Sequence, residues 1–487
     1  MFSASGLRVG WFSILMGFFA AATVNAAELQ LGATAQYVYN SNFFSNGGNT
    51  DSANSFEVGP SVGIVDQDGR FQYNLTYAGG YQAFVDQSSV NAWESRLLGR
   101  ASYDIDRRTS IIVRERFRDI SNLRFTREDI ALADNALDPR QNRYFRNDLE
   151  VELVRDLSRR LSLSGRVGHH WVDFDDNIDR SDSTAYDVGS ELTYQLGSQH
   201  VVGVGASYTH QIFERALSRL GSNADYLNGY LLWNWQIADR IQFSMSGGPA
   251  WVRSEESDTN TVSQTQFVGG KVNGDVYRAD IRSCQGAGGV IASNCDFASF
   301  PPIPASNLGG TQDFSLTTGE RVGEESTLTF FGGAALQASF AEWNVVTSYS
   351  RTQNTTSGSS LASSLDIVFL SLEYAAPKNR WSAFVAGSWD RRETLTDATL
   401  VDYNVIGGVD GAAQRLTAFT TVTNSDIARE NYIGIVGIRN ALSRNWSGTL
   451  EFRYRRSEVD DPRASRPGSD TYLLLFTIDY AYDPIQF

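Results

Sequence analysis

Apolar and polar positions alternate with period two through most of this chain, in about eighteen separate stretches. Leu29-Gln30-Leu31-Gly32-Ala33-Thr34-Ala35-Gln36-Tyr37 sets apolar residues at odd positions and polar or small ones between them. Phe71-Gln72-Tyr73-Asn74-Leu75-Thr76-Tyr77, Leu161-Ser162-Leu163-Ser164-Gly165, Trp446-Ser447-Gly448-Thr449-Leu450-Glu451-Phe452-Arg453-Tyr454 and the run from Tyr472 to Tyr482 repeat the pattern. Side chains leave a strand on alternate sides, so each stretch has one apolar and one polar face. The pattern predicts strands over 29–40, 55–66, 70–85, 91–104, 109–120, 143–155, 160–173, 183–196, 200–213, 223–237, 240–253, 325–340, 343–353, 363–375, 380–392, 429–440, 445–457 and 471–483.

Connections between these stretches alternate in length. Every second one is tight, as in Asp66-Gln67-Asp68-Gly69, Ile105-Asp106-Arg107-Arg108, Asp156-Leu157-Ser158-Arg159, Gly197-Ser198-Gln199, Ala238-Asp239, Ala376-Pro377-Lys378-Asn379 and Ala441-Leu442-Ser443-Arg444. Most of the others are long, among them 121–142, 254–324 and 393–428. Short turns at one end and long loops at the other are the rhythm of a barrel that crosses a membrane. Tryptophans test the idea. Trp93, Trp171, Trp251 and Trp389 fall at the long-loop ends of their strands, Trp233, Trp235, Trp343, Trp381 and Trp446 at the short-turn ends, and all nine share the parity of the apolar face. Two aromatic girdles flanking an apolar belt follow, whereas a soluble sandwich would gather its aromatics in one central core. The fold class expected is all-β, a transmembrane antiparallel up-and-down barrel of about 18 strands (16–18).

The first 26 residues stand apart. Arg8, then an uncharged apolar stretch ending in Val24-Asn25-Ala26, reads as a cleaved secretory signal peptide, so 27–487 is expected to form the barrel and its loops. Beyond it no apolar run is long enough for a spanning helix. Composition agrees with strands wetted on one side only: 12% of residues are aromatic, and glycines outnumber prolines by 43 to 10. Loss of Arg8 leaves 40 basic residues against 56 acidic ones, a net charge of −16 that argues against a nucleic-acid partner. The only cysteines, Cys284 and Cys295, lie in one Gly/Ser/Asn-rich segment; a local disulfide is the expectation for an exported chain, a metal pair the weaker alternative.

Phe487 closes the chain just after the alternating run containing Leu474, Phe476, Ile478 and Tyr480. A terminal aromatic behind an amphipathic strand resembles the sorting signal read by the barrel-assembly machinery of Gram-negative outer membranes. With the leader, the alternating strands and the loop rhythm, the mature chain resembles the β-barrel porins. Val58-Gly59-Pro60-Ser61-Val62 followed by Phe71-Gln72-Tyr73-Asn74-Leu75 is also similar to outer-membrane barrels associated with exopolysaccharide systems. The resemblance implies residence among outer-membrane lipid and lipopolysaccharide, and either a channel for a small polar solute or an exporter of an anionic polysaccharide. A surface adhesin or receptor barrel is the alternative of a different class.

Parity assigns the inner wall. It turns Glu94, Arg96 and Arg100 inward from the fourth stretch and Arg114, Arg116 and Arg118 from the fifth. Arg146, Asp148, Glu150 and Glu152 follow from the sixth, Arg166 and His170 from the seventh, and Glu451, Arg453 and Arg455 from the seventeenth. Such charges either neutralise one another across strands or present guanidinium donors to passing carboxylate, phosphate or hydroxyl groups. Glu115 breaks the pattern, for alternation sends it outward between Val113 and Phe117; a position near the external interface or a bulge would accommodate it.

No cofactor is expected, because the chain has no phosphate-binding glycine loop, zinc-ligand spacing or dinucleotide fingerprint. Nor is an enzyme. The four histidines are His169, His170, His200 and His210, and although His169-His170 lies near Asp173, Asp175, Asp176 and Asp179, the pair points to opposite faces. Those acids suit divalent cations bridging lipopolysaccharide phosphates, or simply water. Segment 254–324, with Pro301-Pro302-Ile303-Pro304, is either an external flap or a plug for the lumen.

The connection lengths generate a test. With Cys284 and Cys295 removed, a single cysteine at Ser257 is expected to react with an impermeant label on intact cells, and one at Ser198 only after the outer membrane is opened. Equal reaction at both would invert or abolish the topology.

Overall fold

The computed structural model describes residues 27–41, 52–67, 69–85, 91–120, 144–174, 182–213, 222–256, 271–272, 275–276, 314–318, 325–353, 363–377, 380–394, 398–406, 415–423, 428–460 and 469–486. Eighteen long strands form one barrel: β1 (Glu28–Asn40), β2 (Ala53–Asp66), β3 (Phe71–Phe84), β4 (Ala92–Asp106), β5 (Thr109–Ile120), β6 (Tyr144–Asp156), β7 (Leu161–Phe174), β8 (Ser183–Gln195), β9 (His200–Phe213), β10 (Ser222–Ala238), β11 (Ile241–Glu256), β12 (Glu325–Ser339), β13 (Trp343–Gln353), β14 (Ser363–Ala375), β15 (Trp381–Thr394), β16 (Ala428–Ala441), β17 (Trp446–Asp460) and β18 (Ser469–Ala481). Each pairs antiparallel with its neighbour in sequence, and β1 returns to β18 over Gly32↔Ala481 to Asn40↔Leu473. Closure is reinforced by side chains, since Thr34 donates to Asp479 at 2.9 Å and Gln36 to Thr477 at 2.8 Å. After Pro484, Ile485 and Gln486 resume pairing on Leu29 and Glu28. Phe487, Cys284, Cys295, the expected signal peptide (1–26) and nearly all of 254–324 lie outside the described residues.

The tight turns are built by local chemistry. In Leu157-Ser158-Arg159 and Leu442-Ser443-Arg444 the serine hydroxyl accepts from backbone N–H groups just ahead, Leu161 N at 3.1 Å in one and Trp446 N at 3.3 Å in the other. Leu157 N donates to Leu161 O and Leu442 N to Trp446 O, closing both hairpins alike. Gly69 (φ 81°) and Gly197 (φ 135°) supply the positive φ that two further turns need.

Two strand positions carry Gly-Pro, Gly59-Pro60 in β2 and Gly248-Pro249 in β11. Proline has no N–H for the ladder, and pairing lapses there, between Val58↔Tyr81 and Ser61↔Ala78 and between Asn228↔Ala250 and Leu231↔Gly247. Neighbouring backbones close in. A Cβ on Gly59 would sit 1.7 Å from Gly79 O, and one on Gly248 1.9 Å from Gly229 O.

Beyond the barrel, Phe314–Thr318, Ala398–Ile406 and Arg415–Thr423 form a three-stranded antiparallel sheet. It joins the two longest connections, those before β12 and before β16.

The close approach at Gly248 predicts that Gly248→Val prevents assembly, while Gly434→Ala, where nothing lies within 4 Å of the new methyl, is tolerated. The readout is the heat-modifiable folded band on a gel, lost in the first variant and kept in the second.

Candidate functional site

The faces follow parity. Leu31, Val58, Val188, Leu231, Phe330, Leu370, Val385, Val436 and Phe476 point outward and are exposed, which leaves an apolar belt around the barrel. At the short-turn end Trp233 and Trp235 stack at 5.6 Å with His200 against both, Tyr374 lies between Trp343 and Trp381, and Trp446 meets Tyr480 at 4.8 Å. An apolar belt between aromatic rims around a charged interior defines a transmembrane β-barrel.

Inside, the charged residues of β4–β8 stand in rows. One row is Arg100, Arg114, Glu150, Gly168 and Asp187; the next outward is Leu98, Arg116, Asp148 and His170; a third begins with Arg96, Arg118 and Arg146. Arg114 pairs with both Glu150 and Glu152, the latter at 2.8 Å. Arg146 holds Asp148 at 2.8 Å, and Arg166 lies 3.9 Å from Asp187. His170 joins two of these groups, its Nδ1 2.8 Å from Asp148 and its Nε2 2.8 Å from Asp187. With a carboxylate oxygen on each ring nitrogen, both nitrogens must donate, so the geometry suits the imidazolium. Gly168 makes the bridge possible, for a Cβ there would come within 2.0 Å of Asp187 Oδ1.

Not every arginine in this sector takes an acid. Arg96, Arg100 and Arg116 have no ion-pair partner among the described residues. Moreover Arg96 faces Arg118 across the ladder, and Arg100 faces Arg114.

The residues of β17 are not part of this group. Arg453 pairs with Glu451 on its own strand, while Arg455 donates to Asn431, which donates to Asp390 at 2.6 Å. Both arginines are buried, at 6% and 2% exposure, among the inward apolar residues Val38, Phe369, Ile433, Ile435, Leu473 and Leu475. The inner wall is therefore two-sided: β4–β8 carry rows of charge, whereas β14–β16, β18 and β1 contribute a buried apolar cluster beside Arg453 and Arg455. Its burial also changes along the axis. Inward Gln72, Asn74, Asp104 and Gln242 at the short-turn end are exposed, whereas Glu94, Gln211, Tyr226 and Val252 towards the other end are buried.

Sequence reasoning missed Asp187, although its inward parity on 183–196 was there to be read. It also missed the apolar inner sector, whose trace is the broken alternation of Leu473-Leu474-Leu475 and Ile367-Val368-Phe369-Leu370. Glu115 is accommodated without a bulge. Register through β5 is unbroken around it, it sits two residues inside the rim aromatic Phe117, and it accepts from Asn147 Nδ2 at 2.7 Å.

No protein-family model matches the chain. No curated protein matches it either. Solved structures resemble it distantly. Outer membrane protein OpdK of Pseudomonas aeruginosa is 9% identical over 96% of this chain and 100% of that one, with a TM-score of 0.40. OccAB3 of Acinetobacter baumannii is 10% identical over 95% and 99%, at 0.39, and the ferric-catecholate import receptor Fiu of E. coli K12 is 8% identical over 93% and 81%, also at 0.39. At this distance the likeness assigns no solute.

The His170 bridge predicts that His170→Leu removes the donor shared by Asp148 and Asp187, leaving them only Arg146 and the more distant Arg166, and destabilises the barrel by about 1–3 kcal/mol. Urea unfolding of refolded protein in lipid vesicles measures it; His170→Lys, which restores a cation, should recover part of the loss.

Proposed function

We propose that the protein is a channel of a Gram-negative outer membrane that passes small polar solutes and favours anionic ones. The arginine ladder of β4 and β5 carries this reading. Arg96, Arg100, Arg114, Arg116 and Arg118 all project from one stretch of inner wall, and Glu150 and Glu152 both pair with Arg114 alone. Like charges set opposite each other weaken a sheet, so a wall serving stability alone would place acids there. Guanidinium is charged at every physiological pH and offers five donors, which suits it to drawing carboxylate or phosphate through a confined aqueous path. The half-exposed or exposed Arg96, Arg100 and Arg116 are the residues this reading puts in contact with solute. Arg114 acts as their neutralised neighbour, and Arg453 and Arg455 serve the opposite wall.

Export of an anionic polysaccharide would use the same ladder, and an adhesin would need none of it. Current across a planar bilayer separates them: a channel conducts small ions, an adhesin does not. With Arg96, Arg100 and Arg116 all changed to Gln, the anion-to-cation permeability ratio, read from the reversal potential in a salt gradient, should be roughly halved or lower. An unchanged ratio would make the ladder part of the wall and end this proposal.

A further inference from the structure

The outer face differs between the two sides of the barrel. Five strands running towards the long loops end in an outward aromatic followed two residues on by an outward base: Tyr208 and His210 on β9, Trp251 and Arg253 on β11, Tyr349 and Arg351 on β13, Trp389 and Arg391 on β15, Tyr454 and Arg456 on β17. Outward acids complete these rim clusters. Tyr208 and His210 meet Asp225, Tyr349 and Arg351 meet Asp366, Tyr432 and Arg391 meet Glu430, and Tyr454 donates to Asp470 at 2.8 Å. On this arc every ionisable group lies outside the aromatic, on the water side, as a lipid-facing surface requires.

On β5–β7 the order is reversed. Glu115, Asn147 and His169 each lie two residues inside the rim aromatics Phe117, Phe145 and Trp171, within the apolar belt. Among the described residues, Glu115 and His169 are the only ionisable side chains of the outer face so placed. The acid and the amide are bonded to each other, yet Asn147 Oδ1 is buried with no partner among the described residues. Around this polar centre stand Phe117 and Phe145, in ring contact at 6.5 Å, Trp171, and Tyr186 against His169 at 5.1 Å. A carboxyl group and an imidazole on the lipid-facing side, over an amide oxygen buried without a partner among the described residues, are costly, and a polar centre ringed by aromatics is the form of a protein interface.

We propose that the outer face of β5–β7 is the docking surface for a second copy of this chain. Complementarity within the patch selects the occupant. Glu115, Leu149 and His169 form one row across three strands, with the acid on one side of Leu149 and the base on the other. A two-fold axis along the membrane normal near Leu149 brings Glu115 of each copy to the other's His169, the isologous arrangement of most dimers. Strands about 4.8 Å apart and tilted by about 40° leave roughly 6 Å of height between the two groups, within reach of both side chains.

The test uses the full mature chain in mild detergent and in lipid nanodiscs, with Cys284 and Cys295 replaced by Ser. Mass by light scattering should give a dimer, and Leu149→Cys should form a covalent dimer on oxidation while Val436→Cys, on the opposite outer face, does not. Glu115→Leu combined with His169→Leu should lose the dimer and keep the heat-modifiable barrel. A monomeric parent, a dimer that survives the double substitution, equal cross-linking at Leu149 and Val436, or a stoichiometric complex with a different protein through this face would each overturn the proposal.

Discussion

Everything in this molecule depends on the closure of β1 onto β18. In hydrocarbon an unpaired N–H or C=O has no water to turn to, so a sheet can span a membrane only if it has no edge. Gly32 to Asn40 of β1 meets that demand against β18, with Thr34–Asp479 and Gln36–Thr477 holding the register from inside. Once closed, a strand residue has two destinations, lipid or lumen, and its parity decides which. The period-two pattern is thus the solvation requirement of the closed sheet written along the chain.

Closure constrains the exceptions as well. Proline in a central strand forfeits a ladder bond, and both Gly-Pro steps are answered by a glycine on the next strand that lets the backbones meet where side chains would not fit. Positively twisted turns are similarly delegated to Gly69 and Gly197, while the Leu-Ser-Arg turns use a serine hydroxyl to occupy N–H groups that no strand reaches.

Strand number, strand order, the two tryptophan rims and the inward set on β4–β7 were legible in the sequence because each depends on period and spacing alone. What parity cannot supply is the partner. That Arg114 takes two acids while Arg116 takes none depends on rotamers and on register between strands far apart in sequence. Asp187 reaches His170 only because Gly168 vacates the space between them, a coincidence of two strands that neither stretch announces by itself. The apolar cluster on the inner face was hidden for another reason. A strand apolar on both faces breaks alternation, so Leu473-Leu474-Leu475 looks like a weaker strand, when it is a strand buried on its inner side as well.

The two unusual surfaces lie back to back. A barrel wall is one sheet thick, and on β5 the sequence Arg114-Glu115-Arg116 puts arginines inside and a carboxylate outside at the same height. The inner arginines repel one another across β4 and β5, so this is the part of the wall with most reason to splay. Glu115, held by Asn147 of β6, ties β5 to its other neighbour from the outside, and a second copy packed on β5–β7 would brace β5 further. A barrel that gathers fixed positive charge on one side of its inner wall needs support behind that side. The polar patch on the outer face is where such support would attach, which makes the ladder and the docking surface meet on the two faces of β5.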